Sequence, residues 1–180
     1  MDSRDAARLI APAVRRGAGG VWADLGAGMG TFTEALADLL GANGQVYAVE
    51  EDPMRAAALD VVAARTGRER AAITVVRGDF AKPLKLPWLD GVLLANALHY
   101  VTDDEQAPLL GRLARGLAPA GTLVVVEYDD RPRSRWVPYP VSLSRLNALA
   151  QLARLTPPEP IGRRGSLFGG TMYAARIKVP

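Results

Sequence analysis

The sequence predicts an α/β domain in which a mostly parallel sheet is covered by helices on both faces. Three observations predict it. Short β-branched or apolar runs alternate with segments whose apolar residues recur at helical spacing. A glycine-rich stretch at residues 22–32 (WADLGAGMGTF) stands between the first such run and the helix after it. Asp24, Glu50, Asp79 and Asn96 all fall at or just after the expected carboxyl ends of strands, where open parallel sheets bind their ligands.

Each element follows from its own residues. Residues 4–16 read as a short helix with Leu9, Ile10, Ala13 and Val14 on one side. Residues 15–20 form a glycine-bearing turn, and 21–25 a short strand. Phe32, Ala35, Leu36, Leu39 and Leu40 keep helical spacing, and Gly41, Asn43 and Gly44 end that helix. Residues 45–49 give the second strand, and 53–66 the next helix, with Pro53 suited to its first turn. Residues 72–77 (AITVVR) are a third strand. Residues 91–95 (GVLLA) are apolar on both faces, which suits a central parallel strand. Asp103 or Asp104 is expected to cap a helix running to Leu117, with Leu109, Leu110 and Leu113 inward. Residues 119–121 turn the chain into a fifth strand at 122–128 (TLVVVEY). Beyond it, residues 129–140 look like an exposed loop rich in proline, arginine and aromatics. Residues 142–155 are helical by spacing, 156–160 break that helix, and 171–179 alternate like a closing edge strand.

The bulk numbers bound the function. A chain of 180 residues is about one domain and can bury a substantial core. Its hydrophobic fraction of 49% and mean hydropathy of +0.04 are those of an ordinary folded protein. Cysteine is absent, which excludes disulfide scaffolds and thiolate chemistry and fits a reducing, cytoplasmic setting. No apolar run is long enough to span a membrane, and residues 1–16 lack the apolar core of a signal peptide. The net charge of +3 comes mainly from arginines spread along the chain, with a concentration at Arg131, Arg133 and Arg135. A nucleic-acid footprint would be denser on one face.

The glycines exclude two phosphate-binding loops. A P-loop needs G-x-x-x-x-G-K-[ST], but Thr31, Phe32 and Thr33 follow the glycines and no lysine does. The dinucleotide fingerprint G-x-G-x-x-G is also poorly met by Gly26, Gly28 and Gly30. Asp24 beside the loop would oppose a dianion and welcome an ammonium. The helix N-terminus favours a carboxylate. A ligand with both groups and an adenosine attached therefore fits. Glu50 can accept both hydrogen bonds of a ribose diol, Asp79 can accept from an adenine amine, and Phe80 can supply an apolar face.

These residues resemble the class I S-adenosylmethionine-dependent methyltransferases, in particular the group acting on small molecules such as quinone precursors. The resemblance runs through VWADLGAGMGTF, VYAVEEDP, RGDFAKPL, DGVLLANALHYV and LARGLAPAGTLVVVEY, in order over most of residues 20–128. It implies a Rossmann-like, doubly wound sheet of seven strands, with the last antiparallel to the rest. It also implies a single domain over 1–180: an N-terminal helix and turn over 1–19, a cofactor-binding core over 20–128, and a substrate-side remainder over 129–180. The sixth strand is expected between Leu155 and Arg164, where three prolines obscure it. By this resemblance Asp24, Gly26, Ala27, Gly28 and Gly30 surround the methionyl part. Glu50 holds the ribose, Glu51 lies beside the adenine, Asp79 and Phe80 meet its edge and face, and Asn96 lies near the amine and sulfonium. Glu51 departs from the apolar residue commoner at that place.

The reaction implied is in-line methyl transfer to a small-molecule acceptor, without a metal. His99 is the sole histidine and follows the fourth strand, so it is the expected base or substrate-orienting group. Tyr100, Trp136 and Tyr139 are expected to line the acceptor. The [DN]-P-P-[YF] signature of many amine and nucleobase methyltransferases is missing, since Asn96 is followed by Ala97, Leu98 and His99. Three other readings are weighed: an RNA or protein methyltransferase, a non-catalytic cofactor-binding accessory protein, and a nicotinamide dehydrogenase.

Overall fold

Alternation along the strands divides the interior into two layers. Ala23 and Leu25 point to one side of the sheet and Trp22 to the other, and both sides are buried. The structure, a computed structural model, describes residues 1–65, 67–166 and 169–179. Its elements in chain order are α1 (Ser3–Ile10), β1 (Gly20–Leu25), α2 (Thr31–Leu40), β2 (Gly44–Glu50), α3 (Pro53–Ala64), β3 (Ala72–Arg77), β4 (Leu89–Ala95), α4 (Gln106–Arg115), β5 (Leu117–Tyr128), α5 (Leu143–Leu152), β6 (Glu159–Gly165) and β7 (Thr171–Lys178).

The seven strands form one sheet in the order β3-β2-β1-β4-β5-β7-β6. All neighbours from β3 to β5 are parallel, and β7 runs antiparallel to both β5 and β6. The order reverses between β1 and β4, and a crevice opens there beyond their carboxyl ends. One core layer packs Leu25, Val92, Leu94 and Val125 against α4 and α5. The other packs Trp22, Leu93, Val124 and Val126 against α1 and α2. The expected fold class is therefore found, with helices on both faces and the last strand antiparallel.

Several boundaries differ from the expected ones for identifiable reasons. α1 stops at Ile10 and passes into a single 3-10 turn at Ala11–Ala13, because Pro12 has no N–H to continue the ladder. Neither Asp103 nor Asp104 caps α4. The amides of Glu105 and Gln106 both reach back to the Thr102 carbonyl, so the helix begins at Gln106 after a turn. β5 begins at Leu117 because Leu117 pairs with Leu89. α5 begins after Ser142, whose hydroxyl accepts from the Arg145 amide at 3.1 Å, a side-chain cap. The expected end of α3 at residue 66 lies outside the described residues. The closing strand β7 is not the expected edge strand: it lies between β5 and β6, and β6 takes the edge, which lets it carry Pro160 with a register shift between Pro160 and Gly162. The loop at 129–140 is only partly exposed, since Val137 is buried.

Trp22 sets a tight constraint at the centre. It pairs with Gly91, and a Cβ at Gly91 would lie 2.5 Å from its indole ring. Gly91→Ala is therefore expected to destabilise the fold by about 1–3 kcal/mol through overpacking. A lowered urea midpoint checks this, and an unchanged one would contradict it.

Candidate functional site

The crevice at the β1–β4 switch is a cleft of about 730 Å³. Gly26, Ala27 and Gly28 form one part of its lining, from the turn between β1 and α2. Gly26 has φ of 72°, and a Cβ there would lie 2.8 Å from the Ala97 Cβ and 3.2 Å from the Phe80 ring. Only glycine allows that approach. Gly28 has φ of 57°, and a Cβ there would meet no atom within 4 Å, so this side of the turn opens outward. Gly30 lies outside the lining: it caps α2 with φ of 89° and packs toward Leu59 and Val62.

Glu50 ends β2 and is almost fully buried. One carboxylate oxygen accepts from the Gly28 N–H at 2.8 Å, and the other from the Asp52 N–H at 3.0 Å. Each oxygen keeps a lone pair for a further donor. Glu51 also lines the cleft, as does Phe80. Asp79 does not. Its carboxylate accepts from the Ala81 N–H at 2.8 Å and lies 3.3 Å from the Lys82 ammonium, so it closes its own turn.

Asn96 follows β4 with φ of 53°, a left-handed conformation that asparagine tolerates. Its N–H donates to the Val126 carbonyl, while its Oδ1 is buried without a partner. An orphaned acceptor lining a cleft is costly unless a ligand donor meets it.

Asp24 lies beneath the glycine turn and is 1% exposed. It accepts from the Thr33 hydroxyl at 2.6 Å. Burial pushes its carboxyl up to about 7, the Thr33 bond opposes the rise, and the nearby Glu50 charge adds to it. Its position on the α2 side of β1 explains the meeting with Thr33, a residue that the glycine pattern does not single out.

His99 is 2% exposed and does not line the cleft. Its Nδ1 lies 2.6 Å from one oxygen of Glu127, and its main-chain N–H donates to the other at 3.1 Å. Glu127 is fully buried on β5. The Nδ1 contact with Glu127 fixes the orientation of the ring. The Tyr100 ring stands in front, with its centroid 4.5 Å from that of His99. Tyr100 is 52% exposed and lines the cleft, as does Trp136 at 65%. Tyr139 lies elsewhere: the Arg133 guanidinium covers its ring, and its N–H donates to the His99 carbonyl. Glu127 was not singled out from the sequence, although a carboxylate inside the apolar run TLVVVEY is a visible signal.

A family model described as a methyltransferase domain matches residues 23–121. The chain belongs to this family, the class I S-adenosylmethionine-dependent methyltransferases. Similar solved structures include the CcbJ methyltransferase from Streptomyces caelestis, at TM-score 0.73 and 21% identity over 99% of this chain and 89% of that one. The 1,6-didemethyltoxoflavin-N1-methyltransferase of Burkholderia thailandensis, solved with that compound and S-adenosylhomocysteine, has TM-score 0.73 and 20% identity over 98% and 77%. The N-methyltransferase NodS from Bradyrhizobium japonicum WM9 has TM-score 0.74 and 17% identity over 99% and 94%. A search of curated protein sequences finds no match.

The residues of the methyltransferase's cleft fit its cofactor. The Asn96 Oδ1 lacks a donor, the Gly28 backbone leaves room, and Glu50 presents two free lone pairs. Among the described residues no group of three or more His, Asp or Glu is placed to hold a metal ion, and no helix is long and apolar enough to cross a membrane. A larger cleft of about 910 Å³ lies toward the opposite end of the sheet, ringed by Arg4, Arg8, Arg16, Arg68 and Arg70. It contains none of the strand-end residues.

Asp24 yields a pH prediction. Its folded pKa of about 7 exceeds its unfolded value, so the folded state holds the extra proton between the two. That stabilisation is complete below about pH 4 and is lost as pH rises through about 7, at a cost on the order of a few kcal/mol. Asp24→Asn should flatten this dependence. Urea unfolding of both proteins at pH 5 and pH 8 checks it, and parallel losses would contradict it.

Proposed function

We propose that this methyltransferase transfers a methyl group to a small-molecule acceptor bound beside Tyr100 and Trp136. The observation that carries the proposal is one cleft that brings Asn96 and Glu50 together with these two exposed aromatic rings. Support for a small acceptor comes from the similar structure named as a 1,6-didemethyltoxoflavin-N1-methyltransferase, which was solved with that small molecule bound. The absence of cysteine supports a cytoplasmic setting.

S-adenosylmethionine, when bound, supplies an electrophilic methyl on a sulfonium. Glu50 accepts from the ribose diol while holding Gly28 in place. Asn96 accepts from the amine of the methionyl part, and the Phe80 ring lies against the adenine, with Glu51 at its side. Asp24 shapes the turn from beneath through its hydrogen bond with Thr33. Asp79 acts by stabilising the turn that presents Phe80. Tyr100 and Trp136 align the acceptor and exclude water, which is the protein's main contribution to an in-line displacement. His99 is an orienting group in this reading: Glu127 fixes its ring and main chain, and its ring backs Tyr100. Tyr139 reaches the acceptor wall through its bond to the His99 carbonyl.

Glu50→Ala should weaken adenosylhomocysteine binding by about 1–3 kcal/mol, because charge-assisted hydrogen bonds are lost. Calorimetry checks it, and unchanged affinity would remove Glu50 from the ribose. His99→Ala should slow adenosylhomocysteine production about 10–100-fold through misplacement of the acceptor wall, while sparing cofactor affinity. Full activity would exclude His99 from the reaction.

A further inference from the structure

The acceptor end of the cleft carries a chemical preference that rests on the reading above. Arg135 lines the cleft beside Trp136 and stacks on its ring, with the guanidinium carbon 5.1 Å from the centroid. Its neighbour Arg133 covers Tyr139 and pairs with Asp103 at 3.5 Å. Arg135, in contrast, makes no ion pair among the described residues. Stacking occupies one face of a guanidinium and leaves its in-plane N–H donors free. Glu51 lines the same cleft but forms no ion pair with Arg135 among the described residues, and two further carboxylates nearby are engaged. Glu50 is held by two amides at the cofactor end, and Glu127 is buried against His99.

An exposed indole, an exposed phenol and an uncommitted guanidinium at one mouth form a receptor for a flat ring bearing an anion. The rings gain stacking and apolar burial from a planar acceptor. The guanidinium fork matches a carboxylate or phosphate in bidentate fashion. A cationic amine would face Arg135 as a like charge. We propose that the acceptor is an aromatic anion, with its ring against Trp136 and Tyr100 and its carboxylate or phosphate on Arg135.

Calorimetry of the whole chain saturated with adenosylhomocysteine tests this with three isosteric probes: 2-naphthoate, 2-naphthamide and 2-naphthylmethylamine. The naphthoate should bind at least about tenfold tighter than the amide, as expected for a charge-assisted contact, and the amine weakest of the three. Arg135→Gln should abolish the preference for naphthoate and leave amide binding unchanged. Trp136→Ala should weaken both, and neither variant should alter adenosylhomocysteine affinity. Naphthyl phosphate in place of naphthoate separates phosphate from carboxylate as the preferred anion. Equal affinity for the three probes, no binding of any of them, or a naphthoate preference that survives Arg135→Gln would overturn the proposal while leaving the cofactor reading intact. Failure of adenosylhomocysteine itself to bind would overturn the cofactor reading, and this proposal with it.

Discussion

The carboxylate of Glu50 receives two main-chain N–H groups, one from the glycine turn after β1 and one from the entry to α3. It thereby joins the ends of β1 and β2 at the lining of the cleft. An anion bound by amides in place of a cation keeps its negative charge uncancelled. Its two remaining lone pairs point from fixed oxygens, an arrangement suited to a pair of adjacent hydroxyls. The turn it holds needs glycine at Gly26, where Ala97 and Phe80 approach closely, and at Gly28, where the backbone opens to the cleft. The conformation of both loops at these strand ends therefore depends on one side chain.

Around that point the cleft divides by chemistry. The β1 and β2 ends are acidic, and Asp24 below them is pushed toward neutrality by burial. The far end is aromatic and basic, with Tyr100, Trp136 and Arg135. Between them, the segment from Asn96 to Tyr100 is anchored to β5 twice, through the Asn96 amide to Val126 and through His99 to Glu127. A segment tied in this way has little freedom to drift, so this side of the cleft is carried by the sheet and not by a loose loop.

The strand–helix alternation was legible because both faces of the sheet are buried, which forces continuous apolar runs in the central strands. That the glycine turn, Glu50 and Asn96 line the cleft was legible because strand ends at the switch point of a parallel sheet border the crevice there. Asp79 also follows a strand end, yet its carboxylate closes its own turn, a local competition that short acidic side chains often win. The Glu127–His99 pair was hidden because the two residues meet only once β4 and β5 lie side by side. β6 was obscured by prolines that an edge strand tolerates, and α1 was overextended because its apolar spacing continues past Pro12.

The most direct measurement of the central claim is calorimetric titration of the wild-type protein with S-adenosylhomocysteine and, separately, with NAD. The account predicts a saturable heat at one adenosylhomocysteine per chain and none with NAD. A folded protein that gives no heat with adenosylhomocysteine, or that prefers NAD, would contradict it.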